Sequence, residues 1–213
     1  MSRQMEYAYQ FIKERILDGT YKPSQKLVES QLSEAIGVSR NTIKTALLKL
    51  EQENLVIIEN NKGATIKSFT LEEVINYLEI REVLEGLIIG SAIPNFSEED
   101  EAQLAHILSR MENYLHEKKY DEYTKLNNEF HSAIYKLAKN REAVRLVNMI
   151  KTQLIRYHFR TILVPGRNEQ SLQEHKNIYT ALKQRDAAAA EEAMKHHVAN
   201  VRKTIEENYQ YLL

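Results

Sequence analysis

The sequence predicts a mainly α-helical fold, and three observations predict it. Only six glycines and three prolines interrupt 213 residues. Apolar residues recur along most of the chain at the i, i+3, i+4, i+7 spacing of an amphipathic helix. Hydroxyl or carboxylate side chains stand where such stripes begin, as helix N-caps do, at Ser39, Thr70, Ser97, Ser171 and Asp186. One stretch, Leu55 to Lys67, breaks the pattern with two β-branched runs around a turn cluster.

In chain order, residues 3–18 read as a first helix with Tyr9, Ile12 and Ile16 as its stripe and Gly19 as its stop. Thr20 to Gln25, containing Pro23, crosses to a short helix from Val28 to Ile36. Gly37 suits a backbone position of positive φ just past a helix end. Ser39 caps the next helix, whose buried stripe is Ile43, Leu47 and Leu50, while Arg40, Asn41, Lys44 and Thr45 fall away from it. Two helices, a glycine-bearing turn and a polar outer face describe a helix-turn-helix. Leu55–Glu59 and Ala64–Lys67 then read as two short strands joined by Asn60-Asn61-Lys62-Gly63.

The first turn of the Ser39 helix offers unpaired amides and a positive dipole end to phosphate. Arg40 and Lys44 lie one turn apart, and Asn41 and Thr42 reach base edges if the helix enters a major groove. The helix pattern alone equally describes a solvated pair inside an all-α core. The hairpin that follows weighs toward DNA, since Lys62 and Gly63 at its tip suit a wing lying along the backbone or minor groove.

From Lys22-Pro23 through Leu27, Glu29, Leu32, Gly37-Val38-Ser39-Arg40, Ala46-Leu47, Leu50 and Leu55-Val56 to Gly63, the chain resembles the GntR superfamily of bacterial winged-helix regulators. That resemblance implies DNA contact at Ser39, Arg40, Thr42, Lys44 and Gly63. The chain departs from it at Ser30 and Lys44, where many members carry Arg. Lysine is a point charge and cannot reproduce a planar two-donor fork. The operator should therefore differ from the commonest family sequence.

After a short linker at Ser68-Phe69 the pattern is wholly helical. Thr70-Leu71-Glu72-Glu73 is a capping box opening a helix to about Ile93, which Pro94 ends. Ser97-Glu98-Glu99-Asp100 opens a second helix to about His116, and a third runs from near Asp121 to Ala138. Past Asn140 a fourth continues to about Leu163, and Pro165-Gly166 breaks the chain. Ser171-Leu172-Gln173-Glu174 reads as the capping box of a fifth helix ending near Arg185, which commits Glu174 to the cap and puts His175 in the first turn. Asp186 caps the last helix, to about Tyr209. Six helices with short connections make an antiparallel bundle. The predicted division is a winged helix-turn-helix of three helices and a two-stranded wing, 1–69, binding DNA, and a helical domain, 70–213, for effector binding and dimerisation.

Composition bounds the function. No apolar run spans a bilayer and no signal-peptide pattern is present, so no membrane partner is expected. The absence of cysteine excludes disulfides and thiolate metal sites and fits the cytoplasm. Net charge is −1 overall, but residues 1–69 carry ten Lys+Arg against eight Asp+Glu, net +2, and residues 70–213 carry nineteen against twenty-two, net −3. A weakly basic domain holds double-stranded DNA usefully only as a dimer, with marked salt sensitivity.

Histidines supply the second candidate site. Asn127 and His131 share a helix face one turn apart, and His175 stands on a later helix. His197 falls in phase with the apolar Met194, Val201 and Ile205, whereas His196 aligns with Glu192, Asn200 and Lys203. Three imidazoles and an oxygen donor from three helices can converge in a bundle core, although any one such histidine is more often an ordinary core or surface residue. Arg81-Glu82-Val83-Leu84-Glu85, Asn127 to His131, Glu174-His175 with Ala181-Leu182 and Asp186, and Ala193 to His197 resemble the FCD effector domain of the FadR-type GntR branch, in its six-helix, VanR-like subgroup. The resemblance implies a divalent metal on Asn127, His131, His175 and His197. Asparagine stands where the family usually has aspartate, so binding should be weaker. Imidazole-rich sites favour Zn²⁺ or Ni²⁺. The metal would receive the carboxylate of a small organic acid, with Arg81, Arg156 and Arg160 as clamp candidates and Tyr135 and Tyr157 as wall residues. Each arginine equally suits an inter-helix salt bridge.

These readings predict a transcription regulator, a repressor by expectation, that binds an inverted repeat as a homodimer and senses an organic acid. A metal-responsive regulator shares the architecture. A helical-bundle metalloenzyme is the remaining alternative, and it lacks a general base: Glu129 lies off the Asn127–His131 face and Glu174 is assigned to its cap.

Overall fold

The computed structural model describes the backbone at residues 3–59 and 63–212, and side chains throughout these except at 59 and 155–160. Lys62 and the side chains of Arg156, Tyr157 and Arg160 therefore lie outside the described residues. The chain forms two compact units, Met1–Thr70 and Leu71–Leu213.

The first unit runs α1 (Arg3–Leu17), β1 (Lys26–Leu27), α2 (Glu29–Ile36), α3 (Arg40–Gln52), β2 (Val56–Glu59) and β3 (Gly63–Ile66). Its core joins Met5, Ala8, Tyr9, Ile12 and Ile16 of α1 to Ile43, Ala46, Leu47 and Leu50 of α3, with Leu27, Val56 and Ile66 beneath. Polar ties fix how α1 lies on α3. Lys13 Nζ stands 2.7 Å from Glu53 Oε2, and Lys49 Nζ stands 3.0 Å from Glu6 Oε2 and 3.6 Å from the Tyr9 ring. Such part-exposed pairs are screened by solvent and contribute little, so the apolar seam carries the stability. Gly37 takes the left-handed conformation after α2, with φ 75°, and its N–H donates to the Ser33 carbonyl. Ser39 caps α3 by accepting from the Thr42 amide.

The wing is antiparallel, pairing Val56 with Ile66 and Glu59 with Gly63. Its two strands are β2 and β3 as expected, and the sheet gains a third strand not foreseen: β1 pairs with the other edge of β3, giving the order β1-β3-β2. A two-residue strand has no alternation to recognise, and it forms because β3 would otherwise present an open edge. Gly63 allows the approach. A Cβ there would stand 2.6 Å from the Leu27 carbonyl oxygen, and its φ of +89° is itself a glycine conformation.

Among the described residues the second unit has six α-helices: α4 (Leu71–Ala92), α5 (Glu98–His116), α6 (Tyr120–Leu137), α7 (Arg141–Thr161), α8 (Arg167–Lys183) and α9 (Ala187–Leu212). One 3₁₀ turn, Ile93–Asn95, follows α4. Helix α4 packs on α6, α7 and α9, while α5 packs on α6 and α8, and α8 on α9. The core includes Ile107, Met111, Phe130, Ile178, Leu182 and Met194. Ser97 and Asp100 form a full capping box at α5, and Asp186 accepts from the Ala189 amide at α9.

The expected cap at Ser171 is wrong. Helix α8 starts at Arg167, directly after Gly166, and Ser171 is its fifth residue, buried. The Ser-x-x-Glu spacing here reflects two positions on one inward face rather than a helix start. Residues 167–170 continue from the break as helix, with the Asn168 side chain donating to the Ile162 carbonyl. His175 consequently sits in the third turn, not the first, and Glu174 is freed from the cap.

Candidate functional site

On α3 the outward residues are polar. Ser39, Arg40, Asn41, Lys44 and Thr45 are exposed and Thr42 is part-buried, opposite the buried Ile43, Ala46, Leu47 and Leu50. The hydroxyls are already engaged within the helix. Ser39 Oγ and Thr42 Oγ1 lie 2.8 Å apart, and Thr45 Oγ1 donates to the Asn41 carbonyl at 3.0 Å. Arg40, Asn41 and Lys44 carry the long polar side chains of this face. Gly63 stands at the start of β3, in the wing.

Inside the second unit, His131 from α6, His175 from α8 and His197 from α9 converge. One ring nitrogen from each lies within 4.8 Å of the others, and all three side chains are buried. Each imidazole is oriented from behind. His197 Nδ1 donates to Glu174 Oε2 at 2.7 Å, and Arg167 donates to the same oxygen at 3.0 Å. Asn200 donates to Glu174 Oε1 at 2.7 Å. His131 Nδ1 stands 3.3 Å from Glu85 Oε2, close enough to pair though not aligned as a hydrogen bond. The other oxygen of Glu85 is held by the Arg81 side chain. His175 Nδ1 is 3.5 Å from the Ser171 hydroxyl.

The electrostatics follow from burial. Burial, reinforced by the neighbouring imidazoles, holds His175 and His197 well below the usual histidine range. Burial also lowers His131, against the pull of Glu85. The two carboxylates differ. Burial opposes ionisation of Glu85, yet Arg81 and His131 hold it well below its usual value. At Glu174 burial prevails over Arg167 and Asn200, and its pKa is raised. The three donors to its oxygens nonetheless match an acceptor-only carboxylate.

Neutral imidazoles with Nδ1 turned outward present Nε2 to a common point. His131 Nε2 and His175 Nε2 are 3.3 Å apart. Two lone pairs facing at that distance call for a proton or a cation between them. A carboxylate behind a histidine whose other nitrogen is bare is the usual support of a metal-ligating imidazole. The residues therefore fit a divalent metal of nitrogen preference. Asn127 lies one helical turn before His131 and is part-buried.

Arg81 is buried and engaged by Glu85 one turn along the same helix, an ion pair within α4 rather than the inter-helix salt bridge raised for it above. Tyr135 is buried beside Arg81 and Glu85, its hydroxyl without a well-aligned hydrogen bond. Sequence reading missed Lys151, whose ammonium lies 5.3 Å from the Tyr135 ring and is pulled down to about 8 by burial and by Arg81. It also missed Glu85, Arg167 and Glu174. A signal existed for Glu85: with Arg81 it falls on the α4 stripe of Val74, Leu78 and Ile88, where an opposite-charge pair implies burial together.

The pattern of bacterial regulatory proteins of the gntR family matches residues 4–66, and that of the FCD domain matches residues 76–200. The chain belongs to the GntR family. Among GntR relatives, the HTH-type transcriptional regulator YdhC of Bacillus subtilis is 31% identical, over 89% of this chain and 85% of its own length. The HTH-type transcriptional repressor GlaR of Escherichia coli is 28% identical, over 89% and 90%. Two solved structures share the fold. A GntR transcriptional regulator from Rhodococcus sp. RHA1 superposes with a TM-score of 0.75 at 21% identity, covering 97% of this chain and 99% of its own. E. coli McbR/YncC gives 0.71 at 19% identity, covering 100% and 98%. This GntR protein is a DNA-binding transcription regulator and not an enzyme, as its families and relatives are. Among the described residues no helix is long and apolar enough to cross a membrane.

Proposed function

We propose that this protein is a repressor that binds an inverted-repeat operator as a homodimer and is controlled by a small organic acid at a metal held by Asn127, His131, His175 and His197. The carrying observation is the convergence of three buried imidazoles, two of them backed by the buried carboxylates Glu85 and Glu174. A Zn²⁺ or Ni²⁺ ion there would supply an electrophilic position for an effector carboxylate. Arg156, Arg160, Tyr135 and Tyr157 remain the proposed surroundings of that acid, joined by Lys151, while Arg81, engaged by Glu85, belongs to the network behind His131. Because Asn127 brings no charge, affinity for the ion rests on the imidazoles and the carboxylates behind them.

Operator contact is assigned to Ser39, Arg40, Asn41, Thr42 and Lys44 of α3, with Lys62 and Gly63 of the wing. The homodimer is supported by α4, where Ile80, Val83 and Leu87 are 53%, 63% and 46% exposed at helical spacing. A single weakly basic reading module also makes too few contacts for specific affinity. Repression is the sense borne by the relative GlaR, named a transcriptional repressor. Effector binding regulates only if it favours one spacing of the two reading helices over another.

The test is a titration of operator binding with chelator, with Zn²⁺ or Ni²⁺, and with a panel of organic acids. Release of DNA by an acid only when metal is loaded supports the proposal. Release by metal alone favours the metal-responsive reading. Indifference to every acid sinks the organic-acid assignment.

A further inference from the structure

Leu48 is 44% exposed in the middle of the polar face of α3. At about 100° per residue it falls about 20° from Asn41 and about 160° from the buried Leu50. It therefore belongs to the outward side with Arg40, Asn41 and Lys44, all exposed, and takes no part in the core. Thr45 lies beside it, and because its hydroxyl donates to the Asn41 carbonyl at 3.0 Å, its methyl is the portion left for outward contact. A leucine exposed among long polar side chains contributes little to folding and has an apolar surface to bury elsewhere. In the major groove only thymine presents a methyl group. Arg40 and Leu48 are separated along α3 by about 12 Å of rise, the width of that groove, so both fit within it.

We infer that Leu48, with the Thr45 methyl, reads the C5-methyl of a thymine, so that each operator half-site carries a thymine opposite the middle of α3. This rests on α3 being the reading helix, as proposed above. The polar members of the face position the helix and read hydrogen-bonding edges, while Leu48 and Thr45 supply apolar discrimination that disfavours a base without the methyl at that step.

The experiment selects tight-binding duplexes from a randomised library with the full chain. It then replaces each thymine in turn with deoxyuridine, which lacks only the methyl. Burial of one methyl predicts about a fourfold loss of affinity per half-site. The inference expects that loss at one thymine in each half-site for the wild type, and a clearly smaller loss for the same replacement in Leu48→Ala, whose thermal unfolding should match the wild type. Selected half-sites without a fixed thymine, or an equal deoxyuridine loss in both proteins, overturn it. Arg40→Ala and Lys44→Ala separate this from failure of the reading helix. If both bind the selected duplex normally, α3 is not the reader and both inferences fall. If both weaken binding while Leu48→Ala and deoxyuridine change nothing, only the methyl contact is lost.

Discussion

Helix α3 keeps its polar side chains in water and buries a plain apolar stripe, whereas α4, α6, α8 and α9 turn Glu85, His131, Glu174 and His197 into the bundle. The first arrangement costs little, because hydrated Arg40 and Lys44 wait for a partner without desolvation. The second holds Arg81, Glu85, Arg167 and Glu174 at 5% exposure or less. Such charges persist only when each finds its opposite. The outward site can therefore be altered residue by residue, while the inward one behaves as a network.

The largest test of that contrast is Arg81→Ala. It leaves Glu85 buried without the partner that holds it ionised, and chemical denaturation should show a loss of about 3–5 kcal/mol. A loss below about 1 kcal/mol would mean that the inward network tolerates change as the surface does. On the outward site, Arg40→Ala should leave unfolding unchanged and weaken specific duplex binding by about 1–3 kcal/mol in a gel-shift titration. Destabilisation of the fold by that variant would break the contrast from the other side.

Glu174→Gln retains the shape of the network and removes the charge behind His197. Calorimetric titration with Zn²⁺ should show affinity falling by about 10- to 100-fold. Unchanged affinity would make Glu174 a folding element only.

The smallest effect is a pH slope. Burial keeps His175 and His197 neutral in the folded chain well below the usual range, while the unfolded chain takes up protons there as pH falls through about 6.5. Their contribution to stability is thus complete above that pH and declines below it. The melting temperature of the metal-free protein should drop between pH 7 and pH 5. A replacement of His175 that preserves folding should flatten the slope.

Much of the fold was legible because its signals are local. Ser39 and Ser97 cap helices through bonds spanning three residues, and Gly37 ends α2 through its own φ. Helical phase also separates the buried His197 from the exposed His196. The reading failed where a local motif competed with a nonlocal one. Ser171 and Glu174 have capping spacing, yet they face His175 and His197, and the helix begins four residues earlier at Arg167. Strand β1 escaped for the same reason, since Lys26 and Leu27 become a strand only by pairing with Thr65 and Ala64.

By itself the sequence determined the helices, the polar outward face of α3 and the three histidines, because periodicity and caps act within a turn or two. Only the tertiary structure decided which acids stand behind those histidines, that Arg81 is consumed by Glu85, and that β1 joins the wing's sheet as a third strand. Those outcomes depend on groups brought together from distant positions, where the cost of burying a charge or leaving an edge unpaired selects the partner.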